Sequence, residues 1–562
     1  MRLKTAVILV LALASADLAL AVRQPVRAKK GMVVSQDLSA SQVGAEVLKE
    51  GGSAVDAAVA TAFALAVTHP SAGNIGGGGL LLFRPASGEA VAYDFREVAP
   101  AGASPTMFLK DGQYDSARHH ESVLAVGVPG SVAGLHLAWQ SHGKLPWRRL
   151  VDPAIRFARD GFAVTDTLAR SLRGVLPEMQ AYSASRAQFS KNGTAYEAGD
   201  ILKQPELART LERIAERGPA GFYQGETAEL IEKEMKARGG LITRQDLKAY
   251  QPKRRTPLRG TYRGYEVIAM PPVSSGGTAL LEMLNILEAY DLAGKGYGSA
   301  DTVHLIAEAM RRAFADRARY LGDPDFNPEM PISRLVSKEY AAGLRRGLRE
   351  DRASISSPQS FEWPVESDET THLSVVDAER NAVSLTTTLE DSYGSKLLVP
   401  GAGFLLNNEM GDFNAGPGLT SDTGLIGTEP NLARPGKRML SSMTPTILAK
   451  DGQVFMAIGS PGGRAIINTV LLTILNVIDF GMNIQDAIDA PRFHHQWLPD
   501  RIHHEALGWS PDTLALLVAR GHALSIEADH QGIAQGVLLN QKEGVLQGGA
   551  DRRWPDSAAV GH

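Results

Sequence analysis

Between Thr370 and Leu389 lie two short alternating segments joined by a five-residue loop, and this pair restricts the fold more than any other stretch of the chain. Apolar Leu373 and Val375 alternate with polar Thr370, His372 and Ser374, so a strand opens at Thr370 with that residue on its polar face. Leu373 to Asp377 and Ala382 to Leu389 both alternate, and the second segment carries Ser384, Thr386 and Thr388 on its own polar face. A loop Asp377–Asn381 centred on Glu379 makes paired residue numbers sum to 758. Thr370 then lies opposite Thr388, with Cβ atoms roughly 5 Å apart and the hydroxyls within hydrogen-bonding range. A slip of one residue would undo the pairing. Threonine is also a favoured strand residue, so the pattern alone fits an ordinary hydroxyl ladder as well as a reactive site.

The stretch from Glu350 to Glu369, polar and proline-containing, has the character of a linker or exposed loop. Two helical patterns between Leu38 and Val67 flank Gly51-Gly52, and a turn at His69-Pro70 leads to Gly76–Gly79 and a strand-like Leu80–Phe83. Asp301 to Tyr320 carries Val303, Ile306, Ala307, Met310 and Phe314 on one helical face. Ser510 caps a further helix that starts at Pro511 and stops at Gly521. Thr446–Ala449 and Val454–Ile458 flank an Asp451-Gly452 hairpin signal. Strands and helices in both halves of the chain favour a layered α/β (α+β) architecture.

Composition narrows the function classes. With 44% hydrophobic and 21% charged residues the chain has enough apolar surface for a globular core, and its intermixed charges, net −4, argue against a nucleic-acid binder. The absence of cysteine excludes disulfides, thiolate metal sites and cysteine nucleophiles. Arg2 and Lys4, the apolar run Ala6–Ala14 and small residues at Ala19 and Ala21 form a signal-peptide pattern over residues 1–21, with an apolar run too short to span a bilayer. Export to the periplasm or medium is the expectation, with no membrane anchor afterwards.

Several motifs suggest other chemistry and do not carry it. Gly76–Gly79 lacks the Gly-Lys-Ser/Thr ending of a phosphate loop and the spacing of a dinucleotide fingerprint, which leaves tight backbone packing. The pairs His119-His120, His494-His495 and His503-His504 are adjacent in sequence, so their side chains are expected to diverge, and none has the i, i+4 zinc spacing. No metal or cofactor is expected. No Gly-x-Ser-x-Gly elbow occurs.

Thr370-Thr371-His372-Leu373-Ser374-Val375-Val376-Asp377 resembles the start of the small subunit of γ-glutamyltransferases. Gly51–Ala58, Asp94–Glu97, Leu406–Phe413, Leu440–Met443, Gly459–Gly463 and Ala490–His495 resemble further motifs of that family, in its order. The resemblance implies an αββα N-terminal-nucleophile fold made as one precursor. A cut between Glu369 and Thr370 would give a large subunit, 22–369, and a small one, 370–562, which share one folded body.

It also implies roles. A threonine hydroxyl is a weak nucleophile until a base takes its proton, and the α-amino group of an N-terminal Thr370, with a reference pKa of about 8, can be that base. Thr388 would orient the Thr370 hydroxyl, and backbone N–H groups at Gly462-Gly463 would receive the oxyanion. Arg96 would grip the α-carboxylate of a glutamyl group as a planar fork, beside Ser441 and Ser442, while Glu390, Glu409 and Asp412 would accept its ammonium. The family's substrates are glutathione and other γ-glutamyl compounds, with water, an amino acid or a dipeptide as acceptor. Two departures stand out: Glu390 is acidic where many relatives have asparagine, and in the lid-like loop Pro417–Arg438 Thr423 stands where some have tyrosine. Alternatives are a glutaryl- or cephalosporin-type acylase and a catalytically silent γ-glutamyl-compound binder.

Overall fold

The hairpin set by the alternation is present at its expected register. Strands Glu369–Val376 and Ala382–Glu390 pair antiparallel, with Ser374 opposite Ser384, Leu373 opposite Leu385 and Thr370 opposite Thr388. The structure, a computed structural model, describes residues 24–356, 369–419, 427–527 and 531–562. The signal-peptide pattern, Thr423 and most of the stretch from Glu350 to Glu369 lie outside the described residues.

The hairpin forms the middle of a seven-stranded sheet, in spatial order Ala558–Gly561, Met32–Ser35, Glu369–Val376, Ala382–Glu390, Gly78–Arg84, Val91–Phe95 and Lys253–Arg255. A second seven-stranded sheet runs Val26–Ala28, Val545–Ala550, Gln535–Asn540, Gln453–Gly459, Thr446–Lys450, Tyr265–Ala269 and Leu258–Tyr262. Each sheet draws strands from both sides of Thr370, so a cut there divides the chain without dividing the core.

Alternation decides what each face meets. Leu373, Val375, Val383 and Leu385 pack with helices Leu38–Lys49, Ala54–Thr68 and Trp147–Asp160. On the other face Val34, Leu80, Leu82 and Val376 meet Ile447, Ala457, Val537 and Leu546 of the second sheet. Helices Gly276–Leu287, Ala300–Tyr320 and Ala465–Ile478 cover that sheet's outer face. The result is four layers, helix–sheet–sheet–helix, as the family resemblance implies.

The polar face of the hairpin is turned inward between the sheets. His372 is fully buried, with Nδ1 2.8 Å from Thr386 Oγ1 and Nε2 3.0 Å from Ser374 Oγ. Ser374 Oγ donates to the Gln535 carbonyl at 3.0 Å and Ser384 Oγ to that of Ile458 at 2.9 Å, so the strip ties one sheet to the other. Buried polar groups persist when they are paired in this way.

The remaining local signals are found with small shifts. Asp37 and Ser53 cap the two helices flanking Gly51-Gly52, the second with a capping box to Asp56. Asp451 (φ +52°) and Gly452 (φ +76°) make the hairpin turn. The glycine run is a packing device: a Cβ on Gly77 would stand 2.1 Å from the Thr388 carbonyl oxygen. One expectation fails. The rings of His119 and His120 do not diverge but lie 4.3 Å apart, because the pair sits in a single π-helical turn, Ala117–Glu121, where successive side chains are not on opposite faces. Among the described residues no helix is long and apolar enough to cross a membrane.

Candidate active site

A small open pocket lies at the Thr370 end of the hairpin, lined by Arg96, Thr370, Thr388, Glu390, Glu409, Asp412, Ser441, Ser442 and Gly463, with Met443 and Ile466. Of the residues selected from sequence as catalytic or substrate-binding, all but Gly462 are in this lining.

Thr370 Oγ1 donates to Thr388 Oγ1 at 3.4 Å, and Thr388 Oγ1 also accepts the Glu390 N–H at 2.8 Å. The strand ladder shifts between Glu369 and Thr370: Glu369 pairs with Glu390 and Thr370 with Thr388, leaving Leu389 as the extra residue. Such a bulge bends the chain and re-aims a side chain. It falls at the bond expected to be cut. Glu390 follows in the left-handed region at φ +76°.

Gly462 (φ +124°) and Gly463 (φ +50°) form a turn directly before the helix Ala465–Ile478. A Cβ on Gly462 would lie 2.7 Å from Gly532 Cα, so this turn can approach its neighbour only as glycine. The positive end of the helix dipole therefore faces the cavity from the Gly463 side.

The electrostatics differ from the sequence expectation. Arg96, almost wholly buried, does not hold its fork free: Nη1 pairs with Glu409, Nη2 with Asp412, and Nη1 lies 3.4 Å from Glu97 Oε2. The two acids assigned to a substrate ammonium thus bind the cation assigned to its carboxylate. A buried guanidinium needs counter-charges, and these were the nearest. Burial, then the Glu409 charge, pushes the Glu97 carboxyl well above the ordinary carboxylate range. Burial, followed by Asp391, Asp412 and Glu409, does the same to Glu390. Glu409 is raised by burial against the opposing pull of Arg96 and a hydrogen bond from Thr388.

Ser442 Oγ accepts from Arg317 Nη2 at 2.9 Å, Arg317 Nε donates to Ser275 Oγ at 2.7 Å, and the Ser441 carbonyl accepts both the N–H and the hydroxyl of Ser275 at 2.7 Å. Arg317 and Ser275 went unselected in the sequence, as did Glu97 and His120, whose Nδ1 is 3.2 Å from Glu390 Oε1. Glu97 had a local signal, its place beside Arg96. The others come from distant segments and had none.

Outside the cavity, His304, Glu308 and His522 lie close enough to share a metal ion. Glu308 is already engaged by Arg311 at 3.2 Å, Arg312 at 2.7 Å and Ser354, an arrangement that suits a buried carboxylate and opposes a cation.

Residues 40–561 match the family model described as gamma-glutamyltranspeptidase. The chain belongs to this family. It is 48% identical over 546 residues to the glutathione hydrolase proenzyme of Escherichia coli K12, covering 96% of this chain and 93% of that protein. The acylase ACY 1 proenzyme of Pseudomonas sp. V22 is 37% identical over 543 residues, 94% of this chain and 93% of its own. Among solved structures, a cephalosporin acylase from Bacillus halodurans superposes with a TM-score of 0.84 at 29% identity, covering 96% of this chain and 97% of its own. A γ-glutamyltranspeptidase chain from Helicobacter pylori gives 0.56 at 46% identity, covering 56% of this chain and 91% of its own. The chain is an enzyme of the γ-glutamyltranspeptidase family with the αββα fold of N-terminal-nucleophile hydrolases.

Proposed function

We propose that the protein is an exported γ-glutamyltransferase and glutathione hydrolase that cuts its own precursor before Thr370. The observation that carries this reading is the paired Thr370 and Thr388 hydroxyls in one cavity with Arg96, Glu409 and Asp412. In the precursor the Thr370 hydroxyl attacks the Glu369 carbonyl, and water opens the resulting ester to free the Thr370 amine. The residue 1–21 pattern supports periplasmic or secreted placement.

In the cut enzyme the amine takes the Thr370 hydroxyl proton as Oγ1 attacks the γ-carbonyl carbon. Thr388 keeps the hydroxyl aimed, and the Gly462-Gly463 turn with the adjoining helix end receives the oxyanion. The C–N bond breaks, the leaving amine takes the proton, and water or an acceptor amine attacks the γ-glutamyl ester. A glutamyl group brings a carboxylate and an ammonium, and these exchange with the Arg96–Asp412 pair: carboxylate to Arg96 and Ser441-Ser442, ammonium to Asp412 and Glu409. The acylase reading lacks that exchange, since a glutaryl group has no ammonium.

The test is a γ-glutamyl anilide assayed with and without a dipeptide acceptor on protein that runs as two chains on a denaturing gel. Anilide release that the acceptor accelerates is expected. A two-chain protein without release would overturn the proposal.

A further inference from the structure

The neighbour that distinguishes this cavity from a plain acid cluster is His120. Its Nδ1 lies 3.2 Å from Glu390 Oε1, and its side chain is 18% exposed where that of Glu390 is 3%. The pair therefore has a buried carboxyl end in the cavity and an imidazole end towards solvent.

Several contacts build this arrangement. Asn408 Nδ2 donates to the His120 carbonyl at 3.1 Å and to Asp391 Oδ2 at 2.9 Å, while its Oδ1 accepts the Asp391 N–H at 3.1 Å. One side chain thus ties the His120 turn to the residue after Glu390. Gly411 leaves the room between them: a Cβ there would stand 2.4 Å from Glu390 Oε1 and 2.5 Å from His120 Nδ1. The Glu390 backbone is pinned to Thr388 Oγ1, the hydroxyl opposite Thr370. His119 packs against Phe108, with ring centroids 3.9 Å apart, and against His120, and burial holds it neutral.

Among the described residues, the titratable and charged groups around the pair include His119 and Tyr114 on the His120 side, Asp391 after the strand, Glu409 and Asp412 on the next turn, and Arg96 across the cavity. The acids, with burial, favour a protonated Glu390. A protonated carboxyl is a poor partner for an ammonium group.

We propose that His120 is a positioning and specificity residue: it takes the Glu390 proton when a donor substrate's α-ammonium enters, so that Glu390 meets that group as a carboxylate. The Glu390 O–H bond breaks, an N–H bond forms at His120 Nδ1, and the new positive charge sits at the solvent end of the pair. No proton enters or leaves the site. This rests on the reading of the cavity as a γ-glutamyl subsite.

The experiment compares His120→Asn with the unmodified two-chain enzyme on a γ-glutamyl anilide from pH 6 to 9. Asparagine keeps a hydrogen bond to Glu390 but cannot take its proton. A hydrogen bond to a charged group exceeds a neutral one by roughly 1 kcal/mol, so kcat/KM should fall about five- to tenfold at pH 7, chiefly through KM. The variant-to-unmodified ratio, in which titration of the Thr370 amine cancels, should return towards unity as rising pH ionises Glu390 by itself. In a Glu390→Gln background the His120 change should have less than about a twofold effect, since coupled residues lose their interaction once one partner is gone. A ratio that stays low and flat with pH, an unchanged KM, or an equal loss in the Glu390→Gln background would each overturn the role of His120. If His120→Asn fails to cut itself, His120→Gln carries the same comparison. Failure of the unmodified two-chain enzyme to turn over the anilide would instead overturn the subsite reading, and this role with it.

Discussion

Replacing Asp412 by Asn tests how the cavity selects its substrate. Arg96 spans Glu409 and Asp412, and of those two side chains Asp412 is the more open, at 13% exposure against 1%. An entering γ-glutamyl group can split the Arg96–Asp412 pair and leave neither charge alone, because it brings one charge for each. A glutaryl group brings only a carboxylate, which takes Arg96 away from Asp412 and brings no cation in its place. Breaking a buried ion pair by removing one partner costs about 3–5 kcal/mol, and the partial exposure and other contacts of Asp412 put its cost just below the lower end. A cost of about 2.7 kcal/mol is a hundredfold in kcat/KM in favour of the γ-glutamyl substrate. Asparagine has no charge to lose its arginine and none to offer the ammonium, so in Asp412→Asn the gap should close to below about tenfold, mainly by loss on the γ-glutamyl side. The assay is initial rates on paired γ-glutamyl and glutaryl anilides with two-chain enzyme. Comparable rates in the unmodified protein, or an unchanged gap in the variant, would refute the exchange argument and favour an acylase.

Four further outcomes are expected. Thr370→Ala should remain one chain, while the small chain of the unmodified protein should begin Thr-Thr-His-Leu-Ser-Val on N-terminal sequencing; cleavage of the pure variant at that bond would end the self-processing idea. Thr388→Val removes the hydroxyl that accepts from both Thr370 and the Glu390 N–H, and should slow self-cleavage, followed on a gel over time, by about a hundredfold or more; cleavage at the unmodified rate would leave Thr388 without a role. The acid limb of kcat/KM should follow the Thr370 amine, near its reference value of about 8, and keep its position in His372→Gln. Both ring nitrogens of His372 are held by hydroxyls and burial lowers its pKa to about 3, so a limb that moves with His372 would name a different base. Finally, His372 and His494 both sit at about 3 through burial, below the value of about 6.5 they have unfolded. The unfolded chain therefore binds more protons between those limits: their contribution is complete above about pH 6.5 and falls by about 1.4 kcal/mol per histidine per pH unit below it. Urea midpoints that stay level from pH 7 to 5 would contradict that burial.

What could be read from the sequence follows from how far apart the interacting residues lie. The Thr370–Thr388 contact was legible because a short symmetric loop fixes the register, and alternation then fixes the face. The same alternation cannot say what that face meets, since polar strips point to water in most sheets; here Gln535 and Ile458, both distant in sequence, supply the carbonyls that let Ser374 and Ser384 lie buried between two sheets. Residue identities brought Arg96, Glu409 and Asp412 into one site by resemblance, but a family motif gives each residue a substrate partner and is silent on partners within the protein. The ion pairs among them belong to the folded arrangement, as does the contact of His120 with Glu390 across 270 residues of chain. Those internal pairs change the physical case for selectivity. Three unpaired carboxylates would attract any cation, whereas an arginine already shared between two of them rewards a ligand with both charges, set as in an α-amino acid.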